Sequence, residues 1–314
     1  MNKLAFVFPG QGAQAVGMGK DFCEQYDVAR KLFAQADEAL GYSIQNVCFD
    51  GPAEDLTLTA NTQPAILTMS VIANEILKEH GVQPDVVGGH SLGEYSALVA
   101  ADVLDFQDAV LLVHKRGQFM QEAVPVGQGG MAAIIGLADE VIIDACEQAT
   151  RAAGEVQAVN FNCPGQTVIA GTNKGVEAAV ELLKEAGAKK AVILPVSAPF
   201  HSTLMKPAGI KLAAELDKVE IRDARIPVVS NYTGELEHTA AEIKANLVAQ
   251  ADHPVKWIAC VNTMKTFGAD TFVEAGPGKT LCGFNRRIDK ELKSMNVENL
   301  ETLQKTLDYF KEVR

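Results

Sequence analysis

The sequence has few cysteines and no paired cysteine motif. Its six cysteines are scattered along 314 residues, and no two of them form a Cys-x-x-Cys pair. A chain of this length with 47% hydrophobic content can bury a large core without disulfides. We therefore interpret the cysteines as reduced core thiols. The six histidines are equally dispersed, so the sequence predicts no metal site.

Basic residues are scarce relative to acidic ones. The chain has 28 Lys and Arg against 40 Asp and Glu, a formal net charge of −12, which repels phosphate backbones and anionic lipids. The apolar run after Lys3 is too short for a secretory signal, and no later run approaches the length of a membrane span. We expect a cytoplasmic protein with neither nucleic acid nor membrane as a partner.

The first part of the chain alternates between strand and helix patterns, which is typical of a sheet covered by helices on both faces. We predict strands over 3–8 and 86–87, and helices over 28–40, 63–80, 94–101 and 106–122. A glycine-rich segment at 125–130 then predicts a hinge, because so many glycines are unfavourable within a helix or strand.

Beyond this segment the pattern becomes that of a compact unit. Strands over 131–137, 156–162, 167–170 and 191–196 with helices over 139–152 and 175–186 give the order βαββαβ, typical of a ferredoxin-like unit. Alternation then resumes, with predicted helices near 203–217, 240–250 and 255–267 and strands over 226–230 and 271–274.

This order predicts an α/β protein in which a small domain interrupts a larger one. We place the small domain at 127–196 and the large domain at 1–126 and 197–314. A cleft between two such domains is a natural place for a ligand.

A candidate nucleophile lies between the predicted strand at 86–87 and the helix that follows it. The run Gly89-His90-Ser91-Leu92-Gly93 fits the Gly-x-Ser-x-Gly elbow, in which a strained turn exposes the serine hydroxyl. A plain glycine-rich turn is the alternative for so short a match. The flanking strand and helix favour the elbow, and they place the Leu92 amide at a helix N-terminus, where it could stabilise an oxyanion.

A serine nucleophile needs a base, and His201 is the best candidate. It lies in the segment 197–202, where the chain leaves the small domain and enters the cleft. His90 should point away from its neighbour Ser91, and the other histidines lie in helices or polar segments. No acid between Ser91 and His201 is an obvious partner, although a carbonyl oxygen could also hold the imidazole.

Two nucleotide-binding motifs are matched only in part. The run at 10–15 after the first strand fits a Gly-x-Gly-x-x-Ala fingerprint, but the second strand with its terminal acid does not follow at the expected distance. The run at 276–280 resembles the end of a phosphate-binding loop, but Val273 occupies the position where that loop needs glycine. We therefore disfavour a dinucleotide site at 10–15 and reject a phosphate-binding loop at 276–280.

Five short segments together resemble the malonyl-CoA:acyl carrier protein transacylases; they are 10–14, 63–65, 89–94, 199–202 and 274–278. Their order and spacing agree over about residues 4–287, whereas 299–314 reads as an ordinary amphipathic helix. The resemblance implies a hydrolase-like large domain with a ferredoxin-like insert. It also implies malonyl-CoA as substrate, acyl carrier protein as acceptor and no cofactor, and we take a monomer as the starting expectation.

The resemblance also assigns catalytic roles. Ser91 would be the nucleophile and His201 the base, with the backbone carbonyl of Gln250 holding the imidazole in place of an acid. The backbone amides of Gln11 and Leu92 would form the oxyanion hole.

Two further residues would select the acyl group. Arg116 would bind the free carboxylate of malonyl, since a guanidinium pairs bidentately with a carboxylate. Without the resemblance, Arg116 beside Lys115 would be read as a surface residue. Phe200 would crowd the malonyl α-carbon and resist a methyl branch.

Two other functions stay open for this sequence. A serine hydrolase would release the acyl group to water, and a non-catalytic module would only bind carrier protein. An acidic carrier protein would need a local positive patch on this acidic chain, for which Lys189, Lys190, Arg286 and Arg287 are the candidates. A solvated surface is the alternative explanation of these four residues.

Overall fold

The computed structural model describes residues 3–196 and 198–313, which leaves Met1, Asn2, Ser197 and Arg314 outside the description. The described residues form ten strands: β1 (Lys3–Phe8), β2 (Val86–Gly89), β3 (Gly129–Ile135), β4 (Val156–Cys163), β5 (Gln166–Thr172), β6 (Lys190–Ile193), β7 (Val228–Val229), β8 (Leu236–Glu237), β9 (Ala269–Ala275) and β10 (Lys293–Val297).

Fourteen α-helices connect and cover these strands within the same described residues. They are α1 (Lys20–Gln25), α2 (Asp27–Leu40), α3 (Ile44–Asp50), α4 (Ala53–Thr57), α5 (Thr59–Glu79), α6 (Leu92–Ala100), α7 (Phe106–Glu122), α8 (Asp139–Ala152), α9 (Asn173–Glu185), α10 (Lys206–Leu216), α11 (Ala240–Gln250), α12 (Trp257–Phe267), α13 (Thr280–Ile288) and α14 (Leu300–Val313).

The strands form two separate sheets. The larger has the order β10-β9-β1-β2-β7-β8, and its neighbours are parallel except for the antiparallel pair β7 and β8. The smaller has the order β4-β5-β3-β6 with every pair antiparallel. Its elements follow the chain order β3-α8-β4-β5-α9-β6. The protein is therefore a mixed α/β structure.

Strand β1 shows why the larger sheet is buried on both faces. Its apolar residues alternate between two cores, with Phe6 and Phe8 in one and Ala5 and Val7 in the other. A parallel sheet covered by helices on both sides requires such a continuous apolar run. Because β1 pairs with both β2 and β9, it lies near the middle of the sheet, and the loop that follows it reaches the carboxyl edge next to the Ser91 turn.

Several predicted elements differ from the observed ones in length or number. The strand predicted over 191–196 ends at Ile193, just before Pro195, which has no N–H to donate. The strand predicted over 226–230 is only two residues long. Helix α13 and strands β8 and β10 were not predicted, nor were the short helices α1, α3 and α4.

The predicted hinge at 125–130 is wrong at its C-terminal end. Gly129 and Gly130 are the first residues of strand β3 rather than part of a loop. Both are closely packed: a Cβ on Gly129 would lie 2.5 Å from Pro199 Cδ, and one on Gly130 would lie 2.8 Å from Asn173 Oδ1. Glycine is used here for close approach within a strand.

The described part of the chain contains no helix with the length and apolar content that a bilayer crossing requires. All six cysteines are buried and unpaired.

Candidate active site

Ser91 lies in a tight turn between the end of β2 and the start of α6. Its φ of 53° is in the left-handed region, which non-glycine residues rarely adopt. The glycines on either side allow this turn to pack: a Cβ on Gly89 would lie 2.0 Å from the backbone of Gly93, and one on Gly93 would lie 2.0 Å from the carbonyl oxygen of Phe8. The sequence therefore folds here into an elbow that holds the serine above the sheet.

His201 faces Ser91 across the cleft. The distance from Ser91 Oγ to His201 Nε2 is 2.6 Å, and His201 Nδ1 donates to the backbone carbonyl of Gln250 at 2.8 Å. That donation leaves Nε2 with its lone pair toward the serine hydroxyl. His201 also has a positive φ, of 62°, so both members of the pair occupy strained backbone positions.

The environment of His201 keeps its imidazole neutral. Burial, and after it the positive charge of Arg116, lower its pKa to about 3. His201 therefore has a free lone pair at neutral pH, as a general base requires.

Arg116 is buried beside the serine and has no carboxylate partner among the described residues. Its Nη1 donates to Gln63 Oε1 at 2.8 Å, and its Nη2 donates to Gln250 Oε1 at 2.9 Å and to Ser91 Oγ at 3.2 Å. Its Nε has no hydrogen-bond partner among the described residues, and only 2% of the side chain surface is exposed. A buried guanidinium with neutral partners is ready to pair with an anionic ligand.

These residues line one small cavity of about 120 Å³. Gln11, Leu92 and Phe200 contribute to its wall together with Ser91, His201 and Arg116. Leu92 is the first residue of α6, so its N–H has no acceptor within the helix. The cavity thus brings together a serine, a neutral histidine, a buried cation and a helix N-terminus.

Three polar residues that support this arrangement were given no role by the sequence. Asn231 Oδ1 accepts from the N–H of Ser91 at 2.6 Å, Gln63 holds Arg116, and Glu94 accepts from the Gln250 side chain at 2.9 Å. Gln63 and Glu94 belong to the motifs at 63–65 and 89–94. Asn231 follows β7 at the carboxyl edge of the parallel sheet, which is a signal for a site residue.

His90, the chain neighbour of Ser91, also lines this cavity. His90 points away from Ser91, and its Nε2 lies 2.8 Å from Asn162 Oδ1.

Two of the four basic residues proposed as a docking patch, Lys189 and Arg287, flank the turn between β4 and β5. The Lys189 side chain packs on Gly136, whose N–H donates to Gly165 in that turn. From the other side, Arg287 Nη2 donates to the carbonyl of Pro164 at 3.1 Å. Lys189, Lys190, Arg286 and Arg287 are exposed, and none forms an ion pair within the described residues.

A serine at a strand–helix elbow that contacts a neutral histidine, next to a preformed helix N-terminus, defines a class of protein: enzymes that transfer acyl groups through serine chemistry. The family described as the acyl transferase domain matches residues 5–309. The chain belongs to this family, and within it to the malonyl CoA-acyl carrier protein transacylases.

Similar proteins cover nearly the whole chain. The malonyl CoA-acyl carrier protein transacylase of Bacillus subtilis (strain 168) is 49% identical over 312 residues, 99% of this chain and 98% of that protein. The crystal structure of an acyl carrier protein S-malonyltransferase from Vibrio cholerae matches with a TM-score of 0.94 at 49% identity, covering 97% of this chain and 99% of that one.

A third similar structure includes a partner protein. It is a malonyl-transacylase in complex with a type II PKS acyl-carrier protein, and it matches with a TM-score of 0.95 at 43% identity over 98% of this chain and 99% of that one.

Proposed function

We propose that this acyltransferase moves malonyl from malonyl-CoA to the phosphopantetheine thiol of an acyl carrier protein, as a supply of extender units for fatty-acid synthesis. The observation that carries the choice of malonyl is Arg116, a buried cation without a carboxylate partner, 3.2 Å from the hydroxyl of Ser91. An acyl group with a free carboxylate would complete this site, whereas an uncharged one would leave the cation unpaired. The similar proteins are named for the same reaction.

The reaction proceeds in two half-reactions through a malonyl ester of Ser91. His201 Nε2 takes the hydroxyl proton while Oγ attacks the thioester carbon, the amides of Gln11 and Leu92 stabilise the oxyanion, and the C–S bond breaks. The proton on His201 passes to the departing coenzyme A thiolate. The carrier thiol then gives its proton to His201 and attacks the ester, and Ser91 leaves with that proton.

The malonyl carboxylate also assists the base. The charge of Arg116 is one of the causes that lower the pKa of His201. When a carboxylate pairs with Arg116, it offsets that charge, and the imidazole becomes a stronger base at the moment the substrate is bound. Phe200, in the same cavity, limits the room for a branch at the α-carbon.

The two sheets correspond to two domains in this proposal. The larger sheet belongs to a hydrolase-like domain of residues 1–126 and 197–314, and the smaller to a ferredoxin-like domain of residues 127–196. The parallel order around β1 and the βαββαβ order with antiparallel pairing support these assignments.

The reaction needs no metal or other cofactor, because the histidine and the amides supply the proton transfer and the oxyanion stabilisation. We further propose that the enzyme works as a monomer in the cytoplasm, where malonyl-CoA and acyl carrier protein are its two partners.

The test is intact-mass spectrometry after mixing with malonyl-CoA and, separately, with acetyl-CoA. The wild type should gain one malonyl group and lose it only when phosphopantetheinylated carrier protein is added. Ser91→Ala should gain none while keeping its thermal melting point within a few degrees. Rapid loss of the adduct to water would indicate a serine hydrolase instead, and an adduct on Ser91→Ala would exclude Ser91 as the nucleophile.

A further inference from the structure

Glu94 is a buried carboxyl group that the proposed reaction does not use. It is the third residue of α6 and has no exposed surface. Burial raises its pKa to about 8, with the nearby Glu237 acting in the same direction. No Lys or Arg forms an ion pair with it in the described chain. Burying such a group is costly unless its oxygens accept well-placed hydrogen bonds.

Glu94 Oε2 accepts two such bonds, each of 2.9 Å. One comes from the backbone N–H of Asn231 and the other from the side-chain Nε2 of Gln250. The two donors come from different elements of the structure. Asn231 follows β7, and Gln250 is the last residue of α11.

The first donor supports the turn of the nucleophile. The Asn231 side chain accepts from the N–H of Ser91 at 2.6 Å and donates to the carbonyl of Gly89 at 2.7 Å. It thus holds the strained turn on both sides of His90. The hydrogen bond from the backbone N–H of Asn231 to Glu94 fixes the position of Asn231 itself.

The second donor links the base with the arginine. The Gln250 carbonyl accepts from His201, and its side-chain Oε1 accepts from Arg116 Nη2 at 2.9 Å. Its Nε2 donates both to Glu94 and to the Ser91 carbonyl, at 2.9 Å each. Because Oε2 of Glu94 requires a donor, the amide must present its NH₂ there and its oxygen to Arg116.

We propose that Glu94 is a positioning residue that fixes Asn231 and the amide orientation of Gln250, and so sets both the rate of Ser91 acylation and the preference for malonyl. It touches neither substrate nor reacting atom. This inference rests on the proposed malonyl transfer, and it gives the last residue of the 89–94 motif a function in that reaction.

The experiment compares Glu94→Ala, Glu94→Met and Glu94→Gln with wild type. Single-turnover acylation by malonyl-CoA and by acetyl-CoA is measured, since the ratio of the two rates does not depend on how much protein is folded. Glu274→Ala is the matched control. Glu274 is equally buried and accepts a backbone N–H, that of Cys282 at 2.8 Å, but among the described residues no hydrogen bond joins it to a residue of the site.

Glu94→Ala and Glu94→Met should slow malonylation by about tenfold to a hundredfold, as expected for lost hydrogen bonds to a buried polar group, and should lower the malonyl-to-acetyl ratio. Glu94→Gln keeps an acceptor oxygen and should restore both to within about threefold of wild type. Glu274→Ala should keep the wild-type ratio.

Two kinetic results would overturn the inference: an unchanged malonyl-to-acetyl ratio in folded Glu94→Ala, or a loss of malonylation rate in Glu94→Gln as large as that in Glu94→Ala. Failure of both Glu94→Ala and Glu94→Met to fold would also overturn it, because Glu94 would then be a stability residue. If wild type and Glu274→Ala do not acquire malonyl at all, the proposed function itself has failed.

Discussion

At the scale of single residues, Arg116 carries a positive charge into a cavity where only neutral groups contact it. Its partners Gln63, Gln250 and Ser91 all accept hydrogen bonds without neutralising the charge. Desolvation lowers the pKa of Arg116, yet the guanidinium stays protonated at neutral pH. Removing this charge should affect a charged acyl group far more than an uncharged one.

Arg116→Ala should reduce kcat/KM for malonyl-CoA by a factor of about 10²–10³, equivalent to about 3–4 kcal/mol for a truncated buried charge pair. Acetyl-CoA should gain relative to malonyl-CoA, because the variant has no cation to leave unpaired. Arg116→Lys should recover part of the loss, since an ammonium keeps the charge but not two parallel hydrogen bonds. Steady-state kinetics with both thioesters measures the ratio.

Lys115→Ala is the control for this prediction. Lys115 is the neighbour of Arg116 on α7 but pairs with Glu215 at 2.6 Å, away from the cavity. It should leave the malonyl-to-acetyl ratio unchanged. The same ratio in Arg116→Ala as in wild type would show that Arg116 does not bind the carboxylate.

The low pKa of His201 predicts an unusual pH profile. For a histidine with the ordinary pKa of about 6.5, the neutral fraction would fall about fivefold between pH 6.5 and pH 5.5. Burial and Arg116 hold the pKa of His201 near 3, so its imidazole stays neutral over this whole interval. Acylation by malonyl-CoA should therefore change less than about twofold between pH 6.5 and 5.5, as rapid-quench mass spectrometry would measure. A fall that follows a titration centred near 6.5 would contradict it.

At the scale of elements, the elbow depends on contact between the backbones of β1 and α6. A Cβ on Gly93 would lie 2.0 Å from the carbonyl oxygen of Phe8, and that backbone cannot move without shifting β1. Gly93→Ala should destabilise the protein by at least about 1–3 kcal/mol in urea unfolding, as overpacking typically does. It should also slow acylation, because the loop after β1 carries Gln11.

Gly283→Ala is the matched control for the elbow. Gly283 is an exposed residue within α13, and a Cβ there would meet no atom within 4 Å. This variant should be neutral or gain up to about 1 kcal/mol of stability from the higher helix propensity of alanine. Equal effects of the two substitutions would mean that close packing at the elbow is not what requires glycine.

Elements with a strong period could be predicted from the sequence, and those shaped by tertiary contacts could not. Strand β1 and helix α7 have continuous patterns that set their bounds closely. Strand β10 has the sequence Lys-Ser-Met-Asn-Val, which lacks an apolar run because it lies at the edge of the sheet. Strand β7 is only two residues long, and it is a strand because it pairs with β2 and β8 rather than because of its own sequence.

The site residues also differ in whether they could be predicted from the sequence. Ser91 and His201 could be found because the elbow motif at 89–93 and the segment 197–202, where the chain leaves the βαββαβ pattern, have local sequence signals. The position of Asn231 after β7 marks it as a candidate site residue. Its bond to Ser91 and the side-chain role of Gln250 could not be predicted, since these contacts span 140 and 159 residues of chain. Polar residues that position other side chains through hydrogen bonds produce no periodic pattern in the sequence.

At the scale of the whole molecule, a chain with a net charge of −12 must bind an acidic partner through a local patch. Charge reversal of Lys189 and Lys190 together should raise the KM for carrier protein by about three- to tenfold, in line with a few exposed ion pairs. The KM for malonyl-CoA should stay nearly constant. Kinetics at fixed ionic strength, with each substrate varied in turn, measures both.

The control reverses two other exposed lysines, Lys31 on α2 and Lys174 on α9, and so produces the same total change of charge. Its KM for carrier protein should stay close to wild type. If both double variants raise that KM equally, net charge alone explains the effect, and the patch around the β4–β5 turn has no special role.

Because β1 pairs with β9, which comes much later in the chain, the order of synthesis affects when Ser91 can react. Ser91 leaves the ribosome early, but the carbonyl that holds its base belongs to Gln250, 159 residues later, and one side of β1 stays open until β9 at Ala269–Ala275 emerges. At about 5–20 residues per second this interval lasts roughly 10–30 s. A nascent chain therefore has its serine long before it has the means to activate it. Reactivity therefore requires both Gln250 and β9, so nascent fragments that end before Ala275 would not consume thioester.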